Sequence, residues 1–234
     1  MQITFDHFED NTPTISSFYF TPEQPVSYTA GQFIELTIPH DQADQRGTKR
    51  WFTLSSSPTD DKISITTKFT SENGSSFKQA LRHLKSGEVL TISDPMGDFV
   101  LPKLVQTPLV FVAGGIGITP FLSIFQWLKA THEERPIKFL QAVSNEDEIS
   151  FMGILDDIKQ HATFLVSQPS AAWGGERGHL SAEIILGLEK PTDDTLVYIS
   201  GPESLVETLT KDLIAAGLNK NQIVGDYFPN YPAE

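Results

Sequence analysis

A short apolar run, Leu109-Val110-Phe111-Val112-Ala113, breaks directly into Gly114-Gly115-Ile116-Gly117 and then into Ile118-Thr119-Pro120-Phe121. A continuous run of this length without polar alternation suits a strand buried on both faces, as in a parallel sheet. The glycines free the backbone for a tight turn. Thr119 is placed to cap a helix, and Pro120 suits its first position, where no N–H partner is needed. Phe121, Leu122, Phe125 and Leu128 then recur at helical spacing. Strand, turn and helix in this order make the opening of a right-handed βαβ unit.

The same alternation continues to the end of the chain. Strands are predicted over Ile137 to Val143, Ala162 to Ser167, Thr195 to Ser200 and Ile223 to Phe228, with helices over Ile149 to Gln160, Leu180 to Leu188 and Ser204 to Ala216. This half reads as an open, doubly wound α/β fold with a five-stranded parallel sheet. The first hundred residues follow another rule: short β-rich runs at Ser16 to Thr21, Gln32 to Pro39, Arg50 to Ser55, Lys62 to Phe69 and Val89 to Ser93, separated by turn residues. That spacing predicts an antiparallel barrel or sandwich. One helix interrupts it, capped by Ser75 or Ser76, carrying Phe77, Leu81 and Leu84, and ended by Gly87. The switch of pattern falls in the polar join between Pro102 and Pro108, so two domains are expected, 1–102 and 103–234.

Charge and composition remove several classes of function. The formal charge is −13, with 8 Lys+Arg against 13 Asp+Glu in the first domain and 9 against 17 in the second. Two acidic halves argue against a nucleic-acid surface and against binding to an anionic membrane. No cysteine is present, which rules out disulfides, thiol redox chemistry and cysteine-ligated clusters in this chain. The six histidines show no pair at helical ligand spacing, so no metal site is expected. Met1 to Asp6 carries no signal-peptide pattern, and the most apolar stretch is broken by glycine and proline. A cytoplasmic location is the expectation.

Two motifs carry chemistry. The glycine turn brings backbone N–H groups and a helix N-terminus to one place, which suits a pyrophosphate; a plain tight junction between strand and helix has the same sequence. The second motif is Arg50-Trp51-Phe52-Thr53-Leu54-Ser55-Ser56. On a strand, Arg50, Phe52 and Leu54 share one face and Trp51, Thr53 and Ser55 the other. Arginine is the best phosphate fork, and an aromatic can lie along a planar ring; either can equally be structural in a strand.

Taken together, the motifs and the order of the domains resemble the ferredoxin–NADP reductase-like superfamily over nearly the whole chain. In that family a flavin-binding antiparallel barrel precedes a nucleotide-binding parallel sheet. Its flavin motif, Arg-x-aromatic-(Ser/Thr)-x-x-Ser, is matched by Arg50, Phe52, Thr53 and Ser56. The resemblance implies that Arg50 holds the FAD pyrophosphate, Phe52 sits against the flavin and Thr53 approaches the reactive edge of the isoalloxazine. Tyrosine is commoner at the Phe52 position. Gly74, Ser75 and Ser76 fit loosely the family's second phosphate-binding helix start, and equally a plain serine cap. Pro95-Met96-Gly97-Asp98-Phe99 resembles its barrel-closing turn.

Gly114, Gly115, Gly117, Thr119 and Pro120 match the family's Gly-Gly-x-Gly-x-Thr-Pro motif for a nicotinamide dinucleotide. Ser200-Gly201-Pro202 stands where relatives usually have Cys-Gly-Pro, so a thiol is replaced by a hydroxyl. The C-terminal aromatics, Tyr227 or Phe228, would cover the flavin; each can also be an ordinary core aromatic of a terminal strand. Ser144 lies at the end of the second predicted strand and would touch the nucleotide. The acids Glu146-Asp147-Glu148 follow it and would repel a 2′-phosphate, which favours NADH over NADPH, while Arg177 could compensate.

The implied activity is hydride transfer from NAD(P)H to FAD, with Thr53, Ser200 and Phe228 nearest the reaction and electrons passed to an acceptor. That acceptor is left open among a redox protein, free flavin and a ferric chelate. The competing reading is a non-catalytic nucleotide-binding or redox-sensing subunit that keeps the fold, for which Ser200 and Phe52 are the only support.

Overall fold

The computed structural model describes residues 1–41, 43–69, 75–155 and 161–228. The first sheet contains β1 (Gln2–Asp10), β2 (Ile15–Pro22), β3 (Phe33–Thr37), β4 (Lys49–Thr53), β5 (Ile63–Lys68) and β6 (Val89–Ile92), in the order β4-β3-β6-β1-β2-β5. All its pairings are antiparallel. The two edge strands meet through a bridge between Leu54 and Ile65, beside a bond from Ser55 N–H to the Ser64 carbonyl of 2.8 Å, and this closes a barrel. Its interior is filled by Phe18, Phe20, Ile34, Leu36, Leu54 and Ile65, with Phe77 and Leu81 entering from helix α1 (Ser76–Arg82). Burying these side chains drives the closure, each contributing about 1.5–3 kcal/mol.

The second sheet has the order β10-β9-β8-β7-β11-β12, all parallel. Its strands are β7 (Leu109–Gly114), β8 (Ile137–Val143), β9 (Ala162–Val166), β10 (Glu176–Arg177), β11 (Leu196–Pro202) and β12 (Ile223–Phe228). Helix α2 (Thr119–Thr131) packs Phe121 and Phe125 onto Phe111 and Phe139 on one face, with Leu155 of α3 (Met152–Leu155) in the same cluster. On the other face α4 (Ala182–Leu188) and α5 (Glu203–Ala215) bring Ile185, Val206, Leu209 and Leu213 against Val110, Val112, Val197 and Ile199. The doubly wound architecture is therefore as expected.

Four details differ from the sequence expectation. The parallel sheet has six strands rather than five, because the exposed pair Glu176–Arg177 adds to the edge beside Leu165 and Val166; two exposed polar residues carry no hydrophobic signal. The barrel gains β1, which the sequence reading did not predict. A bulge between Phe5 and His7 breaks its alternation, and its second half is charged and exposed. Helix α1 ends at Arg82 instead of running to Gly87, which instead adopts a left-handed conformation (φ +91°) in the turn before β6. The helix predicted over Ile149 to Gln160 is described only as α3, and positions 156–160 lie outside the described residues.

The two sheets are clamped close to their functional ends. Ser123 of α2 donates to the Ser56 carbonyl (2.6 Å), and Gln126 donates to the Ser55 carbonyl (2.7 Å). Phe99, which follows the barrel, packs edge-on against Phe121 and Tyr198. Gly31 permits this: its φ is +100°, and a Cβ there would stand 2.0 Å from the Phe99 carbonyl oxygen.

Candidate functional site

In the parallel sheet the chain runs outward from β7 to β8 and β9, then returns to the other side of β7 for β11 and β12. The topological switch therefore lies between β7 and β11, where open parallel sheets bind ligands. The glycine turn follows β7 at this point, and Ser200-Gly201-Pro202 ends β11 beside it, with Ala113 paired to Ser200.

Each glycine has a separate steric reason. A Cβ on Gly117 would lie 2.1 Å from the Ser200 carbonyl oxygen, so the turn rests directly on the end of β11. Gly114 is closed off by Leu205, 2.2 Å from the same imaginary atom. Gly115 is left-handed (φ +55°) with open space in front of it, the geometry of a backbone that a phosphate can approach. Thr119 does not cap the helix as expected. Residues Gly115–Ile118 form a short 3-10 turn that leads into α2, and the buried Thr119 hydroxyl donates to the Ile116 carbonyl (3.3 Å). Pro120 lies in the first turn of α2, where its missing N–H costs nothing.

Ser200 is fully buried, and its hydroxyl reaches Asp226 of β12 at 3.4 Å, the residue paired with it across the sheet. Burial pushes the Asp226 carboxyl up to about 6, with the Ser200 hydrogen bond opposing the shift. The sequence reading missed Asp226. Its signal was a lone acid inside Ile223-Val224-Gly225-Asp226-Tyr227-Phe228, at a position that only the register of β11 and β12 aligns with Ser200. Tyr227 is half exposed, and the backbone of Phe228 pairs with Pro202 at the same sheet end.

On the barrel side, Thr53, Ser55 and Ser56 are buried near the clamp made by α2. The expected faces of β4 are present, but Phe52 is in the barrel core, paired with Ile34 and packed against Phe77 with ring centroids 5.8 Å apart. Its ring is thus buried against the helix α1 plug, on the same face of β4 as Arg50. Arg50 lies over the Phe77 ring at 5.2 Å.

Arg50, Arg46 and Lys78 form a basic cluster. Burial, then the charges of Arg46 and Arg50, push the Lys78 ammonium below its usual range. Ser75 caps α1 by accepting from the Lys78 N–H (3.2 Å), whereas the Ser76 hydroxyl faces His40 (3.0 Å) and accepts from the Asp44 N–H (2.9 Å). Gly74 lies outside the described residues.

At the far rim, Ser144 is exposed at the end of β8, and its carbonyl accepts from the Gln168 N–H (2.8 Å). Glu146 accepts from the Ser170 N–H at 3.1 Å with both oxygens. That hydrogen bonding, helped last by Arg177, holds its carboxyl below the usual range. Arg177 itself donates to the Trp173 carbonyl (2.7 Å). Glu148 turns away from the rim and pairs with Lys68 of the barrel (2.7 Å). The three acids are therefore not one patch.

The structure thus joins an antiparallel barrel to a doubly wound sheet, with a glycine turn at the switch point of the sheet and a basic cluster on the barrel. Residues 111–211 match the family described as the oxidoreductase NAD-binding domain. A flavohemoprotein of Xylella fastidiosa is 29% identical over 92% of the chain and 55% of its own length. The chain thus spans about half the length of the curated relatives it matches. The FAD/NAD binding domain of nitric oxide dioxygenase from Vibrio cholerae superposes with a TM-score of 0.81 at 21% identity, over 97% of this chain and 98% of that one. A ferredoxin NADP+ reductase from Neisseria gonorrhoeae does so at 0.80 and 19%, over 97% and 98%. These structural likenesses show that the chain shares the two-domain fold of these proteins.

Proposed function

We propose that this chain is an NAD(P)H-dependent flavin oxidoreductase that binds FAD on the barrel, binds the dinucleotide at the switch point and passes electrons to a separate acceptor. The observation that carries the reading is the junction of Gly117 with Ser200. Beside it stand an open, left-handed Gly115 and, at the end of β11, the Ser200 hydroxyl against the Asp226 carboxyl. Relatives named as flavohemoproteins, and solved homologues described with FAD and NADP, support the same cofactors.

The residues present fit FAD. Arg46, Arg50 and Lys78 gather surplus positive charge at one end of β4, as a pyrophosphate requires. Bound flavin would supply the hydride-accepting ring and the ability to release electrons singly. Thr53, with Ser55 and Ser56 behind it, gives a polar, water-poor edge at the barrel side. The glycine turn orients the dinucleotide by its backbone, and Ser200 with Asp226 holds a proton-bearing pair next to it. Tyr227 or Phe228, from the strand end paired with Pro202, would cover the ring.

NADH is the favoured donor. Glu146 at the rim suits ribose hydroxyls and opposes a 2′-phosphate, while Arg177 is already engaged by loop carbonyls. The acceptor is a basic redox protein, free flavin or a ferric chelate, because the net charge of −13 repels an acidic one. Anaerobic mixing of the FAD-loaded protein with NADH or NADPH tests the proposal. Bleaching of the flavin band, at least tenfold faster with NADH, is the expected result; a protein that takes up no FAD, or FAD that neither donor reduces, rejects it.

A further inference from the structure

The guanidinium of Arg50 is not open to a ligand in this conformation. Its side chain is only 7% exposed. One terminal nitrogen donates to the carbonyls of Arg46, Gly47 and Lys49, and the other lies 3.6 Å from a carboxylate oxygen of Asp44. Asp44 does more than approach Arg50. It accepts from the Arg46 backbone N–H (3.0 Å) and from the Arg46 guanidinium (2.7 and 3.2 Å). Its second oxygen accepts from the Ser76 N–H (3.0 Å), while its own N–H donates to the Ser76 hydroxyl. One internal carboxylate thus occupies the place where the basic cluster and the start of α1 converge.

We propose that Asp44 is an internal stand-in for the cofactor's phosphate, and that the 44–47 segment is a latch which FAD must displace to reach Arg50. The inference rests on the reading of Arg50 as the residue that holds the FAD pyrophosphate.

Three physical points support it. A pyrophosphate and the Asp44 carboxylate are both anions that want the same charge-assisted donors, so they compete. The latch contains a glycine joint: Gly47 is left-handed (φ +70°), with nothing within 4 Å of an imaginary Cβ. The latch is also stable by itself. Hydrogen bonds from Arg46, then those from Ser76, hold the Asp44 carboxyl far below the usual carboxylate range. Acid at ordinary pH therefore does not release it; a competing anion with more charge does. Around the carboxylate stand Arg46 and Arg50 as cations, with Lys78 near enough to both to feel their charge, and His40 through the shared Ser76 hydroxyl. The cations outnumber the single acid, and the surplus is what favours the exchange.

The test is a titration of the apoprotein with FAD, read by quenching of flavin fluorescence, for the wild type, Asp44→Asn and Asp44→Ala. Both substitutions should tighten FAD binding at least tenfold, because the cofactor no longer has to displace a charged competitor. The melting temperature of each apoprotein should fall, and the rise on adding FAD should be larger than in the wild type. AMP, which has the adenosine half and one phosphate, serves as a second probe and should gain in the same direction. Unchanged or weaker FAD affinity in folded variants overturns the latch and leaves the flavin assignment standing. If neither wild type nor variants bind FAD, the latch and the flavin assignment both fall.

Discussion

At the scale of single residues, the pair Ser200 and Asp226 carries the clearest electrostatic consequence. The folded carboxyl titrates near 6, against 3.8 for an unperturbed aspartate, so the native state holds a proton that the unfolded chain gives up. Between pH 4 and 6 this group makes the fold less stable as pH rises, by at most about 3 kcal/mol. Asp226→Asn removes the effect. The variant should gain stability relative to the wild type as pH climbs from 4.5 to 7, measured by urea unfolding at several pH values; a constant difference would show that the carboxyl titrates normally. The same substitution should flatten the acid limb of flavin reduction by NADH. Little of this was legible in the sequence, since Asp226 and Ser200 are 26 positions apart and meet only through the pairing of two parallel strands. Arg50 could be read as a phosphate candidate because arginine in a strand motif is a local signal. Its present engagement by Asp44 could not be read, because a loop conformation decides it. Phe52 was assigned by motif to the flavin side; its packing against Phe77 was not legible, because the plug comes from a distant helix.

At the scale of elements, the glycine turn is the part that sequence described best. An apolar strand, three glycines and a Thr-Pro helix start are consecutive, so their arrangement needs no long-range information. What remained hidden was the division of labour among the glycines. Gly117→Ala should cost about 1–3 kcal/mol from the forced contact with the Ser200 carbonyl, and should weaken dinucleotide binding strongly. Gly115→Ala meets no atom and carries only the left-handed penalty, about 1–2 kcal/mol. Thermal unfolding together with NADH titration separates the two. If Gly115→Ala proves the more damaging to the fold, the turn is not seated on β11 as described. Strand β1 shows the opposite case: its alternation is interrupted by a bulge and its outer half is charged, so periodicity alone did not reveal it.

At the scale of the whole molecule, the order of barrel and parallel sheet followed from a change in hydrophobic period near Pro102, whereas the contacts that join them did not. Lys68 and Glu148 come from opposite halves and pair at 2.7 Å with the carboxylate mostly buried. A double-mutant cycle with Lys68→Met and Glu148→Gln should give a coupling of about 1 kcal/mol in unfolding free energy. Additive effects would mean that the pair does not tie the halves together. The other joining contacts have a mechanical meaning. Ser123 lies one helical turn beyond Thr119, and Ser56 lies three residues beyond Thr53. The molecule is in effect a caliper whose pivot sits beside its jaws. A tie at that place fixes the gap between the barrel edge and the glycine turn more directly than any contact further out. Under the proposed function, such a clamp would hold the spacing of the two bound nucleotides.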